Sequence, residues 1–228
     1  MRTTLFVALA LAGLLVAVAE GQQKPPDAAA LNARGVALLK EGKLDEAIAE
    51  LQKAAAADPK SVVIQSNLAY AYDRQGQLDD AVAAYRKVLD LDPANAVVRN
   101  NLGAVYRKKG QHDEAIREYE ELLQRDPENA TAKANLETAM QGKTIATERQ
   151  NQLTAAQKGV ETRPHDPRAA YEAARVYARL GDADNAFMWL AKSLDLGFDQ
   201  LDFLSVDPAL INLRKDPRFQ KLLEERRR

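Results

Sequence analysis

The chain has 228 residues, a formal net charge of −1 and no cysteine. This near-neutral charge excludes a protein that binds nucleic acid or acidic lipid through its overall charge. Without cysteine there are no disulfides, thiolate metal ligands, thiol nucleophiles or lipid-modified cysteines. The composition is rich in the good helix formers Ala, Leu, Glu, Lys, Arg and Gln, and only 6% of the residues are aromatic. It therefore favours an all-α fold over one with a large aromatic core.

The first residues differ from the rest of the chain. Arg2 is the only charge before the apolar run Leu5–Ala19, and Ala17-Val18-Ala19 has the small-x-small pattern of a signal-peptidase site. We therefore predict a signal peptide over residues 1–19, cleaved near Ala19, and a periplasmic or secreted chain with no stable membrane span after cleavage. The alternative is an uncleaved N-terminal membrane anchor, although the run is shorter than the roughly 20 residues that a spanning helix needs. Residues 20–27 are polar, contain two prolines and predict a linker.

An internal repeat with a period of 34 residues follows. Three kinds of position recur together: Gly42, Gly76 and Gly110; Ala47, Ala81 and Ala115; Asp58-Pro59, Asp92-Pro93 and Asp126-Pro127. Glycine provides the permissive backbone of a tight turn between two helices, and the residue before proline leaves helical geometry. Each unit is therefore predicted to be two helices. Aspartates whose charge suits a helix N-terminus open the second one: Asp45, Asp79 and Asp113.

These positions resemble the tetratricopeptide repeat family over residues 28–129. The match consists of a small residue at the eighth place, a larger one at the eleventh, alanine at the twentieth and proline at the thirty-second. The eighth place holds Gly35, Ala69 and Gly103, and the eleventh holds Leu38, Tyr72 and Tyr106. The fourth place differs from the family pattern, because Leu31, Gln65 and Arg99 stand there instead of a large aromatic residue. The resemblance implies an all-α, right-handed helical solenoid.

The repeats extend beyond residue 129. Pro164 and Gly181 keep the spacing of the earlier prolines and glycines, which predicts a degenerate fourth repeat with a longer or irregular turn, and then a fifth repeat. The predicted solenoid of about five helix pairs occupies residues 28–197, in repeats 28–61, 62–95, 96–129, 130–166 and 167–197. Residues 198–228 break the period and are dense in apolar side chains, which indicates a C-terminal helical cap. The alternative for this tail is a binding element for a partner.

No pattern indicates catalysis. His112 and His165 lie in different repeats without a second ligand three or four residues away, and no phosphate-binding glycine loop or nucleophile motif occurs. The short basic run Arg107-Lys108-Lys109 lies beside a turn, where it solvates the helix end. We therefore predict a protein without enzymatic activity, cofactor or metal, and without a nucleic-acid partner.

A row of asparagines carries the functional prediction. Asn67, Asn101 and Asn135 are 34 residues apart, at the sixth place of the first helix of their repeats. In the family that the chain resembles, the first helices line a concave groove and the sixth place points into it. These amides would then donate to and accept from a peptide backbone; the alternative is that asparagine merely suits an exposed helical place. The other groove candidates are Ser66, Tyr70, Arg74, Asn100 and Arg107.

The resemblance also bears on the kind of partner. Some family members hold the carboxylate terminus of a chaperone in a clamp of lysine and arginine side chains. The corresponding places here hold Asn32, Val36, Asn67, Val97 and Asn101. None of these residues is a cation, so a clamp of that kind is not expected. We predict an interaction scaffold of the cell envelope that binds a peptide segment or partner protein, with a self-associating, homo-oligomeric platform as the alternative.

Overall fold

The computed structural model describes residues 27–227, and every regular element in this range is a helix. The predicted signal peptide, and all of the predicted linker except Asp27, lie outside the described residues. The chain divides into two compact units, one ending at Met140 and the other beginning at Gln141. Within residues 27–227 no helix combines the length and the apolar character needed to cross a membrane.

The N-terminal unit consists of three helix pairs and the start of a long helix. The pairs are α1 (Ala28–Lys40) with α2 (Leu44–Ala57), α3 (Val62–Gln75) with α4 (Leu78–Leu91), and α5 (Ala96–Lys108) with α6 (His112–Arg125). Each pair falls within one of the first three predicted repeats. The predicted turn glycines Gly42, Gly76 and Gly110 have φ values of +78°, +83° and +73°, which confirms their role.

Helix starts use a second set of equivalent residues. The side chains of Asp27, Ser61, Asn95 and Asn129 each accept a hydrogen bond from a backbone N–H in the first turn of the first helix of a repeat. They satisfy amides that a helix N-terminus otherwise leaves unpaired. The second helices of the first three repeats begin without such a cap, and the predicted aspartates Asp45, Asp79 and Asp113 lie instead in their first turns.

Small residues at the eighth place bring the two helices of a pair close together. A Cβ added at Gly35 would lie 2.6 Å from Leu51 Cγ, and one added at Gly103 would lie 2.7 Å from two ring carbons of Tyr119. Leu51 and Tyr119 both occupy the twenty-fourth place of their repeats and have no exposed surface. The eighth place therefore requires a small residue mainly because of the side chain at the twenty-fourth place. The alanine at the twentieth place is a more distant neighbour.

The fourth place, where the sequence departs from the family pattern, is polar but buried. The Gln65 side chain is 2% exposed and its Nε2 donates to the Pro59 carbonyl at 3.2 Å. Arg99 is 7% exposed and donates from Nη2 to the equivalent Pro93 carbonyl, also at 3.2 Å. The Arg99 Nη1 atom lies 2.8 Å from Oε2 of both Glu118 and Glu121. A polar side chain here satisfies the carbonyl left unpaired by the preceding Asp-Pro turn.

The fourth repeat is not a helix pair, and the prediction of a turn in residues 130–166 is wrong. A single helix of 33 residues, α7 (Ala130–Thr162), replaces it. The reason is local: no Asp-Pro pair interrupts this stretch, and Gly142 is not followed by the aspartate and alanine that open the other second helices. Each of the two glycines in this helix, Gly142 and Gly159, costs only about 1 kcal/mol, which does not stop a helix that is rich in good helix formers.

The C-terminal unit contains the rest of α7, a helix pair and the tail. The pair is α8 (Pro167–Arg179) with α9 (Ala183–Asp195), joined at Gly181 with φ +82°. The tail contains α10 (Leu201–Leu204), two 3-10 turns and α11 (Pro217–Arg227). It contributes Leu204, Leu210, Leu213, Phe219 and Leu223 to one buried cluster with residues of α8 and α9. The tail thus covers the apolar face of the last helix pair, as predicted for a cap.

A buried carboxylate connects the tail to α8. Asp207 has no exposed surface; it accepts a hydrogen bond from the Tyr171 hydroxyl and lies 2.9 Å from Arg175 Nε. Its other oxygen caps the first 3-10 turn by accepting from the Ala209 N–H at 2.9 Å. Burial alone would raise the pKa of Asp207, but these hydrogen bonds and the Arg175 charge outweigh burial and hold the pKa below its ordinary value.

Candidate functional site

The predicted groove residues other than Arg107 lie at places that form one stripe on the first helices of the N-terminal unit, whereas Arg107 lies one place off this stripe, near Tyr119. On α3 the residues Val63, Ser66, Asn67, Tyr70 and Arg74 follow the spacing i, i+3, i+4, i+7, i+11, which is a single helical stripe. On α5 the residues Val97, Asn100, Asn101 and Lys108 occupy the same places. We call these nine residues, with Asn32 on α1 and Asn135 on α7, the first-helix face.

Two of the three predicted asparagines are paired with asparagines of the preceding repeat. Asn67 Nδ2 donates to Asn32 Oδ1 at 2.8 Å, and Asn135 Nδ2 donates to Asn100 Oδ1 at 2.7 Å. Each pair joins the fifth place of one repeat to the sixth place of the next, 35 residues on. The asparagines therefore connect neighbouring first helices, a role that the 34-residue period alone did not reveal.

The middle position of the row has a different environment. At the fifth place of repeat two Ser66 stands where repeats one and three have asparagine. Its counterpart, Asn101, is half-buried beside Tyr85 of α4. Burial and the nearby Asp73 carboxylate raise the pKa of Tyr85, and the Asn101 amide partly offsets that rise. Asn101 thus lies beside Tyr85 and does not form the inter-repeat pair that its equivalents form.

The same 35-residue relationship recurs with charged residues at the far end of the first helices. Lys108 Nζ lies 2.6 Å from Asp73 Oδ1, which joins the thirteenth place of repeat three to the twelfth place of repeat two. Lys108 is half-exposed, whereas Asp73 is mostly covered. Polar contacts therefore join neighbouring first helices along the length of the first-helix face.

Two predicted cations lie near tyrosines, and Arg74 is in direct contact with one. Arg74 Nη1 donates to the Tyr70 hydroxyl at 2.9 Å, and its guanidinium carbon lies 5.7 Å from the Tyr70 ring centre. Arg107 approaches the hydroxyl of Tyr119. Burial raises the pKa of Tyr119, and the Arg107 charge opposes that rise. Tyr70 itself is 41% exposed and presents an aromatic surface beside the asparagine row.

Sequence reasoning missed two apolar members of this face. Val63 and Val97 are 62% and 72% exposed, and they lie one turn before Asn67 and Asn101. The signal was present, because both are apolar residues on a stripe whose other members are polar. A shallow cavity of about 200 Å³ borders Val97 and Asn100 and is also lined by Ala96, Leu122, Asn129 and Thr131. The face therefore offers apolar contacts and amide groups together.

The described residues bring no reactive constellation together. No group of three or more His, Asp or Glu side chains in residues 27–227 is arranged to hold a metal ion. The charged groups on the first-helix face are Lys108, which pairs with the neighbouring Asp73, and Arg74, whose guanidinium lies on Tyr70. This chemistry suits recognition of a polypeptide by hydrogen bonds and apolar contact.

Comparison with known families agrees with the observed geometry. Models described as "Tetratricopeptide repeat" match residues 66–136, 38–84 and 167–186, which together are just over half of the chain. The chain belongs to the tetratricopeptide repeat family. The matches include all three asparagines of the predicted row and most of the first-helix face. No curated protein matches the chain.

Solved tetratricopeptide structures resemble the chain. The first TPR domain of human RPAP3, determined by NMR, is 28% identical with a TM-score of 0.50, over 54% of this chain and 98% of that chain. The first TPR of Spaghetti (RPAP3), bound to an HSP90 peptide, is 28% identical with a TM-score of 0.49, over 53% and 96%. MamA 41-end from Desulfovibrio magneticus RS-1 is 23% identical with a TM-score of 0.48, over 76% and 96%.

Proposed function

We propose that this tetratricopeptide protein is a non-catalytic interaction module of the cell envelope, and that its first-helix face binds an extended segment of a partner protein. The observation that carries the proposal is the row of side-chain amides bordered by exposed valines. Neighbouring first helices pack roughly 10 Å apart. Since an extended peptide advances about 3.3 Å per residue, it would meet an amide about every third residue.

The amide pairs retain hydrogen-bonding capacity for a ligand. An asparagine has two N–H donors and an oxygen with two lone pairs. The Asn67–Asn32 bond uses one donor of Asn67 and one lone pair of Asn32, and the Asn135–Asn100 bond has the same form. Each pair can therefore accept from a peptide N–H and donate to a peptide carbonyl. Because both groups are backbone groups, such contacts are tolerant of ligand sequence.

Sequence preference would come from the exposed apolar side chains. Val63 and Val97 stand one repeat apart, and Tyr70 lies between the amide row and the Arg74 guanidinium. Alternate side chains of an extended segment point in opposite directions, so apolar residues on one side of the ligand would contact these positions. The preferred ligand is an internal segment with spaced apolar residues, since the two cations of the face, Arg74 and Lys108, already contact the Tyr70 hydroxyl and the Asp73 carboxylate.

Photo-cross-linking in the native host tests the proposal and captures the partner in the same experiment. A photoreactive phenylalanine analogue replaces Val63 or Val97 on the first-helix face, and Lys87 or Arg117 on the exposed side of the second helices serves as the matched control. We expect adducts at residues 63 and 97 that map to one linear segment of another protein. Adducts confined to residues 87 and 117 would place binding on the opposite side.

The envelope location has its own test. The apolar run and the Ala17-Val18-Ala19 motif support export. N-terminal sequencing of the protein from its native host should give a mature chain that begins near Glu20. An intact Met1 in a soluble cytoplasmic fraction would contradict export and leave the binding proposal untouched.

A further inference from the structure

A cleft of about 290 Å³ runs between the second half of α7 and α8 in the C-terminal unit. Its floor consists largely of small residues, and two arginines and a glutamate stand at its edge. The lining residues are Gln152, Ala155, Ala156, Gly159, Arg163, Ala169, Glu172, Val176 and Arg179. A cleft with such a floor can accept a bulky apolar or helical surface.

The repeat register shows which element belongs on the α7 side of this cleft. Counted back from Pro164 at the thirty-second place, Gln152, Ala156 and Gly159 occupy the twentieth, twenty-fourth and twenty-seventh places. In repeat one these places hold Ala47, Leu51 and Ala54, which have no exposed surface. The twenty-fourth place packs against the first helix of its own repeat, as Leu51 does against Gly35. The α7 side of the cleft is therefore the surface that a first helix covers in the other repeats.

The register of α8 also indicates that a first helix belongs in the cleft. Counted from Gly181 at the fifteenth place, Glu172 and Arg179 occupy the sixth and thirteenth places. In the N-terminal unit Asn67 and Lys108 hold these places and bond to the preceding first helix. Both walls of the cleft thus face the position of a first helix of repeat four.

The chain's own first-helix sequence cannot reach this position while α7 is continuous. Residues 137 and 156 are the eighth and twenty-fourth places of repeat four, and they belong to one uninterrupted helix. At 1.5 Å per residue they are about 28 Å apart along its axis. The segment that would pair with the cleft must therefore come from another molecule.

We propose that a second copy of this chain supplies that helix, so that Ala130–Met140 of each copy packs against Gln152–Gly159 of the other. Because residue 137 then contacts residue 156 of the partner and the reverse also holds, the two α7 helices run antiparallel about a two-fold axis. The dimer completes repeat four twice without any turn in α7.

The two surfaces are complementary in size. In repeats one and three a glycine at the eighth place faces a large residue at the twenty-fourth, as Gly103 faces Tyr119. In repeat four the order is reversed: Glu137 stands at the eighth place and Ala156 at the twenty-fourth. Since one large and one small residue are present in either case, the close helix crossing is retained.

The exposure of side chains on α7 points to the same partner. Lys133 is exposed at the fourth place, where Gln65 is buried in repeat two. Ile145, at the centre of the antiparallel arrangement, is 61% exposed, and burial against its copy would remove this apolar surface from water.

Cysteine cross-linking tests the exchanged arrangement, since the chain has no cysteine of its own. The full chain carrying Glu137→Cys is mixed with the full chain carrying Ala156→Cys, under mild oxidation. We expect a covalent dimer containing one copy of each variant. Glu137→Cys mixed with Gln157→Cys, one residue off the register, should cross-link at least ten-fold less. A mixture that stays monomeric, or that links equally in both registers, would overturn the proposal.

The doubly substituted chain and the mass in solution complete the test. A chain carrying both Glu137→Cys and Ala156→Cys should form disulfides between copies; a disulfide within one chain would show that repeat four closes on itself and would contradict exchange. By sedimentation at tens of micromolar, the parent and the Gln157→Glu variant should be dimers. Ala156→Glu, which places two carboxylates together, should be monomeric with unchanged helicity. A parent that is monomeric at this concentration refutes the proposal, while peptide binding at the first-helix face is measured separately.

Discussion

The ring of Tyr119 lies directly on the backbone of Gly103, so that a methyl group at residue 103 would come within 2.7 Å of two ring carbons. The contact lies in the core of the N-terminal unit, where Tyr119 has no exposed surface. Gly103→Ala should therefore overpack the crossing of α5 and α6 and cost about 1–3 kcal/mol in the free energy of unfolding. Urea unfolding measures this cost, and a variant as stable as the parent would show that the two helices separate freely.

The turn glycines give a prediction about backbone conformation alone. Gly110 has φ +73°, and a Cβ added there would have no atom within 4 Å, so a substitution meets strain without a clash. Gly110→Ala should cost about 1–2 kcal/mol, the penalty for an L-residue in the left-handed region. Gly110→Asn should cost less, because asparagine tolerates this region better. Equal losses for alanine and asparagine in thermal unfolding would contradict the conformational explanation.

The polar fourth place of repeat three gives a graded prediction. Arg99→Ala removes the contacts to Glu118, Glu121 and the Pro93 carbonyl and should cost about 1–3 kcal/mol. Burial already raises the pKa of Glu118 despite the opposing Arg99 charge, so the loss of that charge should raise the pKa further. Arg99→Gln should recover part of the stability, because Gln65 makes the equivalent carbonyl contact in repeat two. Chemical denaturation of the three proteins at neutral pH compares them.

The buried Asp207 makes the attachment of the tail dependent on pH. Its pKa is lower in the folded chain than the value of about 3.9 expected when unfolded. The stabilisation is therefore complete above about pH 4 and is lost as the pH falls through the folded value. Trp189, the one tryptophan of the chain, lies in the C-terminal unit and reports its unfolding by fluorescence.

The matched variant isolates this carboxylate. Asp207→Asn keeps the size of the side chain but removes its charge, and should cost about 1–3 kcal/mol at pH 7. As the pH falls below about 4, the free energy of unfolding should decrease less in the variant than in the parent, because the variant has no carboxylate at residue 207 to protonate. If parent and variant show the same pH dependence of the Trp189 signal, the acid sensitivity arises at other carboxylates.

The sequence was sufficient to predict the helix pairs because their determinants are local. Turn glycines such as Gly76 and helix-ending Asp-Pro pairs act through their own backbone geometry, and they recur with the period. The eighth-place glycine also signals a close crossing, although only the structure shows that Tyr119 is the residue crossed by Gly103. The all-α helix-pair fold is confirmed on these grounds.

The features that the sequence did not reveal depend on contacts between adjacent repeats or on turn residues that are missing. The pairing of Asn67 with Asn32 follows a 35-residue relationship, one more than the period, and needs the stacking of adjacent repeats to be visible. The continuity of α7 follows from missing turn residues, which the strong period before and after it concealed. In the sequence, Val97 stands out only because it occupies a clamp place without being a cation. Its apolar character and its exposure together mark it as a contact residue.

Calorimetric titration with a synthetic peptide directly tests whether the first-helix face binds an extended segment. The peptide is the linear segment that cross-links to residue 97, and the proteins are the parent, Asn101→Ala, Val97→Ser and, as control, Arg117→Ala. Loss of one amide contact should weaken binding by about 0.5–1.5 kcal/mol, roughly two- to thirteen-fold, in a variant that is still folded at the temperature of the titration. Val97→Ser should weaken binding comparably and Arg117→Ala should not. Unchanged affinity for both first-helix variants, with a loss on Arg117→Ala, would contradict the assignment of the binding surface.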